Sequence, residues 1–446
     1  MAATKSQVLL PVQNPHAAGI DAGSREHLVC VGSAVEQDVR SFGVFTADLH
    51  VLADWLQERG VQSVAVESTG VYWIALFEVL ERRGFHIILV DARQTRRSGR
   101  PKTDVLDSQW IWRLHAAGIL SASFRPGDLI CEFRGYLRRR LTLAADAGRY
   151  ILQMQKALQQ MNVRLDLAVS DTTGKTGLSI IKAILRGERD PAKLAKLRDV
   201  RCVNDEATIA KALQGNWREE HVFALQQAVD AWEFCLKQMG QCDQHLHACL
   251  QKMPKKLSDG TAAIRPRQYG RKHNEPTFEA RGLLAEVAGV DLTAIEGISA
   301  STAMTLIAEL GIDMSQFPTE KHFASWLGLA PNAKKSGRYL NKKRTKPTAS
   351  RAAWAFRLAA STLHRSQTAL GAFFRRLKSR LGAPKAITAT AHKLARIVYR
   401  LLKNGTAYVK QGLAEYEQHF RERTLRSLSR RAASLGFLLV PVVQTP

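Results

Sequence analysis

The 446-residue chain has no apolar run approaching the ~18 to 20 residues of a membrane-spanning helix, which excludes a helical membrane protein. Its opening, MAATKSQVLLPVQNPH, lacks the long apolar core of a secretory signal, so a cytoplasmic, bacterial-type location is expected. Cysteine is sparse: Cys30, Cys131, Cys202, Cys235, Cys242 and Cys249 form no C-x-x-C pair, so neither a zinc ribbon nor a redox motif is supported. A nucleotide loop is missing too. VSDTTGKTGLSIIKAIL carries GKT at Gly174 to Thr176, but Val169 stands where the first glycine is needed and no buried strand precedes it. The most informative absence is of acid. From Lys321 to Ala414 there is no Asp or Glu against 21 Lys and Arg, so this span supplies most of the formal charge of +25. Such a surface either faces solvent as a basic patch or neutralises a polyanion, and the polyanion with regular charge spacing is nucleic acid.

What is present centres on residues 63–114. SVAVE reads as a buried strand ending on Glu67, VYWIALFEVLERRG as an amphipathic helix closed by Gly84, and HIILVDA as a second buried strand. A loop with Arg93, Arg96, Arg97, Arg100 and Lys102 and no acid then leads to Asp104 and Asp107, which share one helical face. A fourth carboxylate, Asp21, belongs to an upstream strand in AAGIDAGSREHLVCVG. Glu67 at a strand's C-terminal end stands where ligands collect in α/β sheets. Together Asp21, Glu67, Asp104 and Asp107 suit one or two Mg²⁺, which takes oxygen ligands and leaves room for phosphate. Each acid taken alone is equally compatible with a helix cap or a surface charge, and Asp91, ending HIILVD, is the nearest substitute.

The chain is long enough for two or three domains. The element order in 15–125 (three short strands, helix, strand, helix, strand) predicts a ribonuclease-H-like mixed sheet, and the remainder reads as all-α. Helices expected over 132–166 and 205–253 suggest a coiled-coil arm at 126–255. Its seam of Leu225, Ala228, Trp232, Cys235, Met239, Cys242, Leu246, Cys249 and Met253 follows a heptad, with Arg134, Arg138, Arg139, Arg140 and Arg149 on the first helix. Cys242, His245 and Cys249 could instead share a face around a metal. Residues 256–283 read as a linker, 284–410 as a basic helical domain and 411–446 as a tail. LTAIEGISASTAMTLIAELG reads either as a helix-hairpin-helix-like element turning at Gly297 or as an ordinary helical hairpin. Beyond it, a loop holds Lys334, Lys335, Ser336, Gly337, Arg338, Tyr339, Lys342, Lys343, Arg344 and Lys346. A serine hydroxyl among so many cations can contact phosphate or attack a phosphodiester. Arg96, Arg97, Arg100, Lys102, Arg138, Arg139, Lys334, Lys335, Arg338, Lys342, Lys343 and Arg344 are the expected nucleic-acid contacts.

GIDAG, VESTGVYW, KTDVLD, the GIS hairpin with TAMTLIAELG, FASWLGLAP and KKSGR stand in one order over about residues 17–410, and the set resembles the transposases of the IS110 group of insertion sequences. The resemblance implies a RuvC-like domain whose catalytic Asp, Glu, Asp, Asp tetrad falls on Asp21, Glu67, Asp104 and Asp107. It also implies a C-terminal domain with a nucleophilic serine, which falls on Ser336, with Tyr339 the alternative hydroxyl. By the same resemblance the partners are donor and target DNA and a guide noncoding RNA, acted on by a dimer or tetramer that moves DNA by strand exchange. A RuvC-like nuclease using water, or a non-catalytic nucleic-acid-binding scaffold, are the competing readings.

Overall fold

The computed structural model describes residues 11–33, 36–68, 70–96, 103–257, 274–332, 335–336, 339–340, 344–405 and 412–440. They divide into two compact units, Met1–Arg125 and Pro126–Pro446.

In the first unit, β1 (Ala17–Ala22), β2 (His27–Gly32) and β3 (Gln37–Phe42) form an antiparallel meander. Helix α1 (Thr46–Glu58) then crosses to β4 (Ser63–Glu67), and α2 (Trp73–Arg82) crosses to β5 (His86–Val90). The resulting sheet has the order β3-β2-β1-β4-β5, with β1, β4 and β5 parallel. This mixed sheet is consistent with the ribonuclease-H-like fold expected from the element order. Strand alternation divides its side chains. Ala18, Ile20, Ala22, Val29, Val64 and Val66 join Leu49, Leu52 and Leu56 of α1 and Leu76 and Leu80 of α2 in one core. On the other face Ala17 and Cys30 meet Trp112 and Ala116 of α4 (Asp104–Ala116), which follows the short α3 (Ala92–Thr95). Ala65 and Val90 meet Ile111 of the same helix.

In the second unit, α5 (Asp128–Gln160) and α10 (Glu219–Lys252) lie side by side, each about 50 Å long. Tyr136 stacks on His245 and Arg140 pairs with Asp243, so residue numbers rise on one helix as they fall on the other and the pair is antiparallel. Every seam residue from Leu225 to Met253 is buried. The outer part of the seam packs with α6 (Leu165–Ala168), α7 (Lys175–Leu185), α8 (Pro191–Ala195) and α9 (Glu206–Ala212). The inner part, from Leu246, joins a core with α11 (Ala280–Ala288), α12 (Ala300–Leu310), α13 (Glu320–Trp326), α14 (Arg351–Thr362), α15 (Ala369–Leu381) and α16 (Ala383–Asn404). Met253 and Leu284, on either side of the expected linker, belong to that one core. The helix expected over 205–253 is broken between α9 and α10. There the chain folds back on the end of α5: a Cβ at Gly215 would lie 2.5 Å from Val163 Cγ2 and 2.9 Å from the Met161 carbonyl, which accepts from the Asn216 amide at 2.7 Å. Before Gly297 stands a single 3₁₀ turn, Leu292–Ala294, and Ser299 caps α12 through the Thr302 amide at 3.2 Å. A final helix, α17 (Leu413–Ser434), packs on α15 through Tyr416. Among the described residues no helix is long and apolar enough to cross a membrane.

Candidate active site

Three carboxylates converge in the first unit. Asp21, Asp104 and Asp107 each offer an oxygen, and these atoms lie within 4.8 Å of one another. The approach starts with Gly19. In β1 the residues Ala17, Gly19 and Asp21 point to the face that α4 covers. A Cβ at Gly19 would fall 2.1 Å from the backbone nitrogen of Trp112 and 2.8 Å from the Ser108 carbonyl. Only the missing side chain lets α4 lie this close, with its first turn over the end of β1. Thr103 starts that turn in an extended conformation, its hydroxyl accepting from the Leu106 amide at 3.4 Å. Asp104 and Asp107 then occupy the helix's electropositive end, which partly offsets their mutual repulsion.

Glu67 is the next acid along the sheet edge. One step beyond the register pair Ile20–Val66, Asp21, next to last in β1, and Glu67, last in β4, lie on the same face of neighbouring parallel strands. Glu67 is outside the group of three: its Oε2 accepts a hydrogen bond from the Thr95 hydroxyl at 2.6 Å. Asp91 is committed elsewhere. It caps α3 through the Arg93 amide at 2.8 Å and takes two prongs of the Arg93 guanidinium, whose hydrogen bonds hold its carboxyl below the usual carboxylate range. Thr95 and Gly19 were not singled out by sequence reasoning. A glycine inside a buried strand was the signal for the second; nothing local marks the first.

The three oxygens are hard donors, partly exposed, and converge closely enough to share a divalent cation. The alternative cluster has the opposite character. Burial raises the thiols of Cys242 and Cys249, the latter to about 11, and His245 stacks on Tyr136 with ring centroids 4.7 Å apart.

Of the expected nucleic-acid contacts, Arg96 is exposed at the end of α3 and Arg139 is exposed on α5. Arg138 forms a two-pronged ion pair with Glu309, at 2.8 and 2.7 Å. Lys335 and Ser336 form a two-residue strand paired with Tyr339 and Leu340, so that Ser336 stands opposite Tyr339, while Arg344 belongs to a strand paired with Pro331 and Asn332. Arg97, Arg100, Lys102, Lys334, Arg338, Lys342 and Lys343 lie outside the described residues.

A protein-family model described as a transposase matches residues 18–163, a segment that contains all four acids. A second, described as the transposase IS116/IS110/IS902 family, matches residues 291–375 and contains Ser336. No curated protein matches the chain. The first model covers the acids of the first unit and runs on through α5, the second lies within the second unit, and the two keep the order that the sequence motifs follow, so the chain belongs to the IS110 family of transposases, enzymes that recombine DNA.

Proposed function

We propose that this transposase is an RNA-guided recombinase that cuts and exchanges DNA strands with Asp21, Glu67, Asp104 and Asp107 as metal-holding acids and Ser336 as nucleophile. The observation that carries the reading is the convergence of Asp21, Asp104 and Asp107 at the sheet edge where Glu67 also ends. Their oxygens fit a hard cation, and magnesium held there, as one or two ions, would supply Lewis-acid polarisation of the scissile phosphate. The chain's residues do the rest. The rigid end of β1 fixes Asp21, the first turn of α4 presents Asp104 and Asp107, and the Thr95 hydroxyl orients Glu67. The Ser336 oxygen forms a bond to phosphorus as the bond to the leaving deoxyribose oxygen breaks, and the serine's proton ends on that oxygen. The products are a free hydroxyl end and a phosphoserine ester, which a hydroxyl from another strand can attack to restore the phosphodiester. The cations that flank Ser336 in the sequence would offset the charge that builds on phosphorus.

The guide RNA is inferred from the family resemblance together with the acid-free span, and assembly as a dimer or tetramer in the cytoplasm belongs to the same reading. The layout that goes with it is a catalytic domain at 15–125, a coiled-coil arm at 126–255 and a serine-bearing domain at 284–410. The test is labelled donor and target DNA incubated with protein and candidate guide, then denatured and resolved on a gel. A magnesium-dependent protein–DNA adduct is expected. It should vanish in Asp104→Asn and Ser336→Ala and persist in Tyr339→Phe. Cleavage without any adduct, unaffected by Ser336→Ala, would instead make the protein a nuclease that uses water.

A further inference from the structure

Helix α14 is built inside out. Its buried face carries Ala352, Ala353, Ala355, Phe356, Ala359 and Ala360, almost all small, so that α14 packs closely on α12 and α16. Its largest side chain is on the outside: Trp354 is 63% exposed, and Leu358, one turn on, is 47% exposed. A helix that needed apolar surface for its own packing would place these two inward, and a large exposed aromatic beside an aliphatic marks a surface that meets a partner.

The surroundings select the partner. Arg351 is exposed one turn before Trp354, and His364 and Arg365 are exposed beyond the helix end. Between them, Ser361 and Thr362 turn their hydroxyls back to the carbonyls of Leu358 and Ala359, at 2.7 and 2.8 Å. The outer stripe therefore reads cation, indole, aliphatic, cation, within a span from Lys321 to Ala414 that holds no acid. A protein segment docking here would need to be strongly acidic. A nucleic-acid strand meets both demands at once, its base lying flat on the indole and its phosphates beside the arginines.

We propose that the outer face of α14 is a stacking platform for an unpaired nucleobase, with Trp354 as the ring it lies on and Arg351 and Arg365 beside the adjoining phosphates. The proposal rests on the chain's action on nucleic acid and adds to it a preference for unpaired strands. Bases inside a duplex offer no free face, so the platform discriminates by strandedness, and stacking is tolerant of sequence.

The test compares full-length protein and its Trp354→Ala, Trp354→Phe and Leu358→Ala variants, binding end-labelled single-stranded DNA, single-stranded RNA and a duplex of the same length. Trp354→Ala should weaken single-strand binding by roughly 5- to 100-fold and leave duplex binding within about two-fold, with an unchanged melting temperature. Trp354→Phe should recover most of the affinity, and Leu358→Ala should lose less than Trp354→Ala. The fluorescence quenched by single strands in the unmodified protein should be diminished in Trp354→Phe. The DNA and RNA arms show which strand the platform takes. An equal loss on all three probes, or no loss on single strands, overturns the platform while leaving nucleic-acid binding standing. A protein that binds none of the probes removes both. Burial of Trp354 that follows protein concentration alone, with a rise in oligomer mass, would assign the face to a second copy of the chain and overturn the proposal.

Discussion

Replacing Asp104 with Asn should make the cation-free protein more stable. It removes one of three charges whose oxygens lie within 4.8 Å of one another. Two unit charges at that distance repel by roughly 0.9 kcal/mol in water-like surroundings and by about 3.5 kcal/mol at an effective dielectric near 20. Asp104 is exposed and its two neighbours are half-buried, so the lower figure governs: about 1 kcal/mol for each pair, or ~2 kcal/mol for the two pairs that include Asp104. Against this stands the favourable placement of a carboxylate in the first turn of α4, worth about 0.5 kcal/mol and lost with the charge. The net gain, roughly 1 to 1.5 kcal/mol, corresponds to a few degrees in melting temperature. The same substitution removes a charged ligand, so the stabilisation that excess magnesium or manganese gives the unmodified protein should largely disappear. Thermal melts in chelator and in each metal, run beside the strand-cleavage assay, read both effects. An Asn variant that melts lower in chelator would show that Asp104 holds the fold through hydrogen bonds. One that keeps the full metal-induced shift would place the cation elsewhere. Either result refutes the reasoning.

Three further outcomes are expected. Asp243→Ala strands the buried Arg140 guanidinium and removes the acceptor of the Thr277 amide at 2.9 Å; it should cost about 3 to 5 kcal/mol and speed hydrogen exchange at Thr277, whereas the isosteric Asp243→Asn should cost less. Burial pushes the His115 imidazole, bonded to the Ser63 hydroxyl at 2.8 Å, down to about 4, below its unfolded value near 6.5; the unfolded chain therefore takes up a proton first, and up to about 3 kcal/mol of stability should be lost as pH falls from 6.5 to 4, a slope that His115→Gln should flatten in melts across that range. Affinity for duplex DNA should fall with salt with a log–log slope near −6 if about seven of the cations between Lys321 and Ala414 meet phosphate, and a nearly flat titration would show that charge facing solvent.

The sheet was legible because its strands are short apolar runs with breakers between them. SVAVE is bounded as read, at Ser63–Glu67, and β1 and β5 lie within the segments read as strands. The Asp104–Asp107 pair was legible from spacing alone, since three residues make one turn of any helix. What stayed hidden was set by partners distant in sequence. Thr95 reaches Glu67 across 28 residues, and the reason for glycine at position 19 is the backbone of Trp112. The helix through 205–253 failed as a continuous element because Gly215, itself a poor helix former, sits against Met161 and Val163 where no side chain would fit. Arg138 has an outward position on α5, but Glu309, 171 residues away, takes both prongs of its guanidinium.

The same distinction governs how the basic span can act. Its 21 cations are not 21 available charges. Glu320, the residue just before the span, takes both Arg396 and Arg400, and its carboxyl is held low by them. Glu417, just after it, lies 3.8 Å from Arg376, whose guanidinium also covers Tyr416 and Phe420. Lys393 is drawn over the rings of Phe373 and Tyr416, where burial lowers its ammonium below the usual lysine value. Acids at the two borders of the span thus fasten α16 to α13 and α17 to α15, and these cations serve the fold. Arg351, one turn before Trp354, and Arg365, beyond the end of α14, are exposed and carry no ion pair among the described residues. Where a basic span meets a nucleic acid, border acids of this kind decide which of its cations can replace counterions on the strand, and among the described residues they leave those on the outer face of α14 unengaged.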